Sequence, residues 1–100
     1  MERQADIIEL GSAISARSAA YAEEAAARDA LDEAERRLKA AAHATAFDNG
    51  FDAALSATLR GREAIARVRR EKAIERLREA RRDLQRARQL AAPETVRDTE

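Results

Sequence analysis

The stretch Phe47-Asp48-Asn49-Gly50-Phe51-Asp52 interrupts a chain that otherwise has the composition of long helices. Asn49 or Gly50 can take the left-handed conformation that closes a helix, and Asp52 can cap the helix that follows. The sequence therefore predicts a single chain reversal at this stretch, near the middle of the 100 residues.

Apolar residues recur at alternating steps of three and four residues on both sides of this stretch, which is the period of an α-helix. Before it they are Ile7, Leu10, Ile14, Tyr21, Ala27, Leu31, Ala34, Leu38 and Ala41. After it the same spacing runs through Leu55, Leu59, Arg62, Ala66, Arg69, Ala73, Leu77, Ala80, Leu84, Ala87 and Ala91. Pro93 ends the second pattern, because proline cannot continue a helix.

We therefore predict an all-α fold, an antiparallel two-helix coiled-coil hairpin with helices at about 2–47 and 52–92. Residues 1–92 would form one domain, and 93–100 would form a flexible tail. We favour a continuous first helix over a short separate first turn, although Gly11 costs about 1 kcal/mol relative to alanine inside a helix. Whether Gly61 breaks the second helix stays open.

The composition excludes several classes of protein. Alanine supplies more than half of the 45% hydrophobic residues, 19 basic residues balance 19 acidic ones, and no cysteine is present. Disulfides and thiolate metal sites are therefore absent, and no apolar run approaches the roughly 20 residues that span a bilayer. The polar N-terminus does not resemble a secretory signal, so we expect a cytoplasmic protein that does not enter membranes.

A turn at Asn49 and Gly50 predicts that position i lies opposite position 99 minus i. To within one residue, this register sets Ile14 against Leu84, Tyr21 against Leu77 and Leu31 against Val68. It also brings three acids of the first helix near arginines of the second, namely Glu23 near Arg76, Asp29 near Arg70 and Asp32 near Arg67. Such exposed pairs would specify the register more than they stabilise the fold.

A second apolar stripe lies on the second helix, rotated away from the leucine positions. Its members are Ala57, Gly61, Ala64, Ile65 and Val68. One facing helix cannot cover both stripes, so we predict a partner interface, with self-association into an antiparallel four-helix dimer as the first expectation. A different protein, or the first helix bending over this stripe, is the alternative.

No pattern points to chemistry. His43 is the only histidine and has no acid three or four residues away. We therefore predict no metal, cofactor, small-molecule substrate or catalytic residue. The leading hypothesis is a non-enzymatic protein-interaction module of the adaptor, small chaperone or inhibitor type. The alternative is nucleic-acid binding through the arginine-rich second helix, with Arg78, Arg82 and Arg86 as contacts.

The turn has two interpretations. Phe47 and Phe51, together with Asp48 and Asp52, would form a docking tip if both rings were exposed. If both rings folded inward they would staple the turn, and this is the interpretation that the sequence favours.

Overall fold

A computed structural model of the chain describes residues 2–91, with side-chain environments for 9–89. It contains two α-helices, α1 (Glu2–Ala46) and α2 (Ala53–Ala91), which the segment 47–52 joins. No strand occurs in these described residues, and the helix bounds lie within one residue of the predicted ones. The prediction of an all-α helical hairpin is confirmed, whereas the predicted tail at 93–100 lies outside the described residues.

Neither internal glycine breaks its helix. α1 is continuous through Gly11 and α2 through Gly61. Gly50, in contrast, has a φ of 75°, which is the left-handed conformation predicted for the turn. Asp52 Oδ1 accepts hydrogen bonds from the amides of Ala54 and Leu55 at 3.0 and 3.1 Å, so the predicted cap of α2 is confirmed.

The hairpin divides into two compact units, each formed by both helices. The first unit comprises residues 27–77 and contains the turn. The second unit combines α1 up to Ala26 with α2 from Arg78 onward. Each has its own helix–helix interface, and the two are described separately.

In the first unit, buried and half-buried residues follow the three-four spacing on both helices. The residues on this spacing are Ala27, Leu31, Ala34, Leu38, Ala41 and Thr45 on α1, and Ser56, Leu59, Glu63, Ala66, Arg70, Ala73 and Leu77 on α2. Ala30, Ala42 and Ile74, which are also half-buried, lie beside them. Counting back from Leu77 along α2 in steps of three and four residues therefore gives Arg70, Glu63 and Ser56 as interface positions. The predicted positions Leu55, Arg62 and Arg69 are wrong by one residue, and Leu55 is half exposed.

Two contacts near the turn set the register of this unit. The Thr45 hydroxyl lies 3.4 Å from the Leu59 carbonyl oxygen, and the Ser56 hydroxyl donates a hydrogen bond to Asp48. The residue numbers of each pair add to 104, so position i lies level with position 104 minus i. The predicted register was wrong by five residues, because the six-residue turn does not reverse the chain symmetrically about Asn49 and Gly50.

The corrected register changes the neighbours of the large side chains. Leu31 lies level with Ala73 rather than with Val68, and Val68 is half exposed on another face of α2. Arg67 bonds Glu63 of its own helix, and not Asp32 as predicted. Leucines of this interface thus meet alanines, which makes the buried layer thin.

In the second unit, the interface on α1 consists of Ala13, Arg17, Ala20 and Glu24, and on α2 of Ala80, Leu84 and Ala87. Leu10, Ile14 and Tyr21, which the sequence placed at the interface, are about half exposed. The prediction was wrong because the three-four spacing from Glu24 passes through Ala20 and Arg17. Ile14 and Tyr21 therefore lie on a neighbouring side of α1, next to the interface and outside it.

Candidate protein-interaction surface

The face of α2 that points away from the helix–helix interface is uncharged over its first four turns. At about 100° per residue, one side of the helix carries Ala54, Ala57, Gly61, Ala64, Ile65 and Val68. Thr58 lies on the same side, and all seven residues are exposed. We call this surface the outward face of α2; beyond it, Glu71, Lys72 and Glu75 return the helix surface to charge.

The largest side chains of this face are exposed to solvent. Ile65 is 55% exposed and Val68 is 50% exposed. Together with Ala64, Arg69 and Lys72 they line a shallow depression of about 340 Å³. Charged residues normally occupy the side of a hairpin helix opposite its partner, so an apolar side there is a candidate interaction surface.

Arginines border the outward face of α2 along both edges. Arg60 and Arg67 lie along one edge, and Arg62 and Arg69 lie along the other. Arg67 forms an ion pair with Glu63, and within the described residues Arg62 and Arg69 have no carboxylate partner. The segment 53–70 contains five arginines and one glutamate, and four of these arginines border the outward face of α2, so its surroundings are basic.

Gly61 lies in the middle of this face. A Cβ added there would meet no atom within 4 Å, so nothing inside the chain requires glycine at this position. Glycine in a helix interior costs about 1 kcal/mol relative to alanine. A glycine that no contact within the chain requires is consistent with the close approach of a second helix from outside.

Three carboxamide or carboxylate side chains accept hydrogen bonds from backbone amides in and after the turn. Asp48 Oδ1 accepts a hydrogen bond from the Gly50 amide at 3.2 Å, and Asn49 Oδ1 accepts one from the Phe51 amide at 3.0 Å. Asp52 caps α2 as described above. Hydrogen bonds from Ser56 and then from Gly50 lower the pKa of Asp48, and the Arg60 guanidinium adds a smaller effect in the same direction.

Both phenylalanine rings of the turn are exposed. Phe51 is 94% exposed and Phe47 is 77% exposed, with the Phe47 ring tilted against His43 at a centroid distance of 4.6 Å. The prediction that the rings fold inward and staple the turn is wrong, because polar side chains already hold the turn in its conformation. Phe47, Asp48, Phe51 and Asp52 all belong to the segment 47–52 that joins the two helices.

The arginines chosen as nucleic-acid contacts are engaged within the protein. Arg86 donates to Asp83 Oδ1 at 2.6 Å, and Arg78 and Arg82 also have polar or electrostatic partners. In the described part of the chain, no group of three or more His, Cys, Asp or Glu side chains is arranged to hold a metal ion. Neither of the two helices described has a stretch long and apolar enough to cross a bilayer.

Sequence reasoning found five members of the outward face but missed Ala54 and Thr58, and it missed the four arginines on its edges. Every position on one side of the helix from 54 to 68 is uncharged, and this pattern would have identified Ala54 and Thr58. The arginines are the charged residues that flank this uncharged side.

Fold and surface together define an all-α helical hairpin with an exposed, arginine-bordered apolar face. Comparison with protein-family models, with curated proteins and with solved structures gives no match.

Proposed function

We propose that this protein is a non-enzymatic interaction module that self-associates through the outward face of α2. The observation that carries the proposal is the half-exposed pair Ile65 and Val68 on the side of α2 opposite the helix–helix interface. Burying this face removes apolar surface from water, which is the main driving force of protein association. An adaptor, a small chaperone or an inhibitor would use such a module.

The charge distribution of the chain supports a second copy as the molecule that covers the outward face of α2. The net charge is zero, but the first fifty residues carry −4 and the last fifty +4, because 13 of the 19 basic residues lie in the second half while the acidic residues are shared almost evenly. Two copies therefore do not repel as whole molecules, and the negatively charged first half of each can lie near the arginine-bordered face of the other. The leucine–alanine interface within the hairpin buries little apolar surface, so association with a second copy can increase the stability of the fold.

Sedimentation equilibrium of the full chain over a wide concentration range tests the proposal. We expect mass above the monomer at high concentration, and we expect Ile65→Glu to weaken the association while helical circular dichroism is unchanged. Gln85→Glu is the matched control, since it makes the same charge change at an exposed position of α2 outside the outward face. A wild type that stays monomeric at the highest concentration would refute the proposal.

Nucleic-acid binding through Arg78, Arg82 and Arg86 remains the alternative proposed from the sequence. Retention of duplex DNA at physiological salt, abolished by charge reversal of these three residues, would favour it over self-association. A cytoplasmic location likewise stays a prediction from the sequence.

A further inference from the structure

The turn end of the hairpin is acidic, and the part of the hairpin next to it is basic. Residues 44–59 contain two carboxylates, Asp48 and Asp52, and no lysine or arginine. Residues 60–72 of α2 contain six basic and two acidic residues. Residues 32–44 of α1 lie level with them, and the three carboxylates there cancel the three lysine or arginine side chains. Charge therefore changes sign within the unit 27–77, between positions 59 and 60 of α2.

The two carboxylates of the turn keep negative charge for a partner. Their hydrogen-bond donors are the Ser56 hydroxyl and backbone amides, which are neutral. Arg60 offsets part of the charge of Asp48. Asp52 forms no ion pair within the described residues, and it is exposed, so a cation of another molecule can approach it.

Phe51 presents an apolar ring at this acidic end. It is 94% exposed, and its amide donates a hydrogen bond to Asn49 Oδ1 at 3.0 Å. The next residue, Asp52, caps α2. Because the backbone on both sides of Phe51 is already hydrogen-bonded, binding through this ring costs less conformational freedom than binding through a disordered loop.

The depression on the outward face of α2 has the size and the lining to receive such a ring. Its volume is about 340 Å³, and Ala64, Ile65 and Val68 line it together with Arg69 and Lys72. A cavity of about 150 Å³ already accommodates benzene. Neither Arg69 nor Lys72 has a carboxylate partner in the described part of the chain, so both can contact a bound ring and the carboxylate beside it.

The ring of one copy cannot reach the depression of the same copy. Ala64 lies eleven residues after Ala53, the first residue of α2, which is roughly 17 Å along a straight helix. A ring in this depression therefore comes from another molecule, and a second copy of the chain carries one.

Two copies can seat both rings at once if their α2 helices lie antiparallel. Placing Phe51 of each copy level with Val68 of the other also places residues 44–59 of each along residues 60–75 of the other. Each acidic end then lies against the basic segment of its partner, with the change of sign at the centre of the pair. Parallel helices would place like charges together.

The residues between the two ring contacts permit this arrangement. Ile65 lies level with Ala54 of the other copy, and Gly61 lies level with Thr58, so that small residues let the helices approach closely. Arg60 and Arg62 are nearest to the centre, at opposite edges of the outward face, where their long side chains can extend into solvent.

We infer that Phe51 of one copy inserts into the depression at Ile65 and Val68 of a second copy, and that the second copy does the same to the first. The inference rests on the proposed self-association and adds the turn to its interface. Because the contact is isologous, association stops at a dimer with two-fold symmetry.

Sedimentation equilibrium of Phe51→Ser tests the ring. The variant should keep its helical circular dichroism, because the ring is almost fully exposed in the single chain. Its Kd should rise by about tenfold or more, since each dimer loses two buried rings. Leu10→Ser is the control: it removes an exposed apolar side chain outside residues 27–77, and it should associate as the wild type does.

Mixing two variants tests where the ring binds. Val68→Glu places a carboxylate in the depression and should also weaken self-association. Both ring contacts are damaged in a dimer of either variant alone. A mixed pair keeps one intact contact, between Phe51 of the Val68→Glu copy and the depression of the Phe51→Ser copy. The equimolar mixture should therefore associate more tightly than either variant, and no gain on mixing would overturn the inference.

Introduced cysteines test the direction of the helices, since the chain has none of its own. Ala54→Cys and Ile65→Cys, mixed and oxidised, should form a disulfide-linked dimer with one copy of each. Ala54→Cys mixed with Gln85→Cys is the control, because Gln85 is exposed on α2 outside the outward face. Linkage of Ala54→Cys to itself at the faster rate would show parallel helices and would contradict the inference.

The outcomes separate the inference from the proposed function. Self-association that Ile65→Glu weakens and Phe51→Ser leaves unchanged would overturn the inference and keep the function. A wild type that stays monomeric would overturn both. Circular dichroism checks that each variant is helical, and Ala64→Glu replaces Val68→Glu if that variant unfolds.

Discussion

The Ser56 hydroxyl, in the first turn of α2, donates a hydrogen bond to Asp48 Oδ2 in the segment 47–52 that joins the two helices. Together with the contact between Thr45 and Leu59 it sets which residues of the two helices lie level within residues 27–77. The register of this unit therefore depends on polar contacts at the turn as well as on the leucine–alanine interface.

Acid should weaken the turn through Asp48. The pKa of this carboxyl is lower in the folded protein than its ordinary value of 3.8, first because Ser56 donates to it. A carboxyl with a lowered folded pKa stabilises the protein fully above its unfolded pKa, and this stabilisation is lost as the pH falls through the folded pKa. We expect the melting temperature to fall below about pH 4, in part through this group.

The variant Ser56→Ala isolates this contribution. It should melt at a lower temperature at neutral pH and should lose less stability on acidification than the wild type does, as followed by circular dichroism from neutral to strongly acidic solution. Thr58→Ala is the control, because the Thr58 hydroxyl donates to a backbone carbonyl of its own helix and to no carboxylate. Equal acid dependence in the wild type and Ser56→Ala would contradict the role given to Asp48.

A charge at the helix–helix interface should unfold the hairpin, whereas the same charge on the outward face of α2 should not. Leu77 is 6% exposed. Leu77→Asp therefore buries an unpaired carboxylate and should cost about 3 kcal/mol or more. Ile65→Asp places the same group in water and should keep the helical signal. The measurement is the circular-dichroism melting curve at low protein concentration; equal melting of both variants would show that Leu77 is not part of the interface.

The two glycines at positions 50 and 61 should respond to alanine with opposite signs. A methyl group at Gly61 meets no atom. Gly61→Ala also removes conformational freedom from the unfolded chain, so it should stabilise the hairpin by about 0.5 to about 1 kcal/mol. Gly50→Ala forces a Cβ into the left-handed region that Gly50 occupies. This change should cost about 1 kcal/mol, and urea unfolding at low concentration measures both.

Gly61→Ala has a second expected effect at high concentration. If a helix approaches the outward face of α2 closely, the added methyl group should weaken self-association even as it stabilises the monomer. Tighter association of Gly61→Ala would argue against close helix packing at this residue.

Removing an exposed ring from the turn should leave the stability of the hairpin unchanged. Phe51 is almost fully exposed. Phe51→Ser should therefore change the free energy of unfolding by no more than about 0.5 kcal/mol. Urea unfolding of this variant beside the wild type measures the change. A loss several times larger would mean that the ring packs inward, as the sequence had suggested.

The local features of this fold could be predicted from the sequence. The helical spacing, the left-handed Gly50 and the Asp52 cap each depend on residues within a few positions of one another, and all three agree with the structure. Five members of the outward face were also found, because a helix side can be drawn from the residue spacing alone.

The register, the positions of Ile14 and Tyr21, and the direction of the two phenylalanine rings were decided only by the tertiary structure. An interface in which leucine faces alanine every three or four residues buries similar area in neighbouring registers, so its hydrophobic pattern selects none of them strongly. The hydrogen bond between Ser56 and Asp48 joins α2 to the connecting segment, and its formation depends on how the chain reverses there. Spacing shows which residues share a side of a helix, but which side is covered depends on what packs against it.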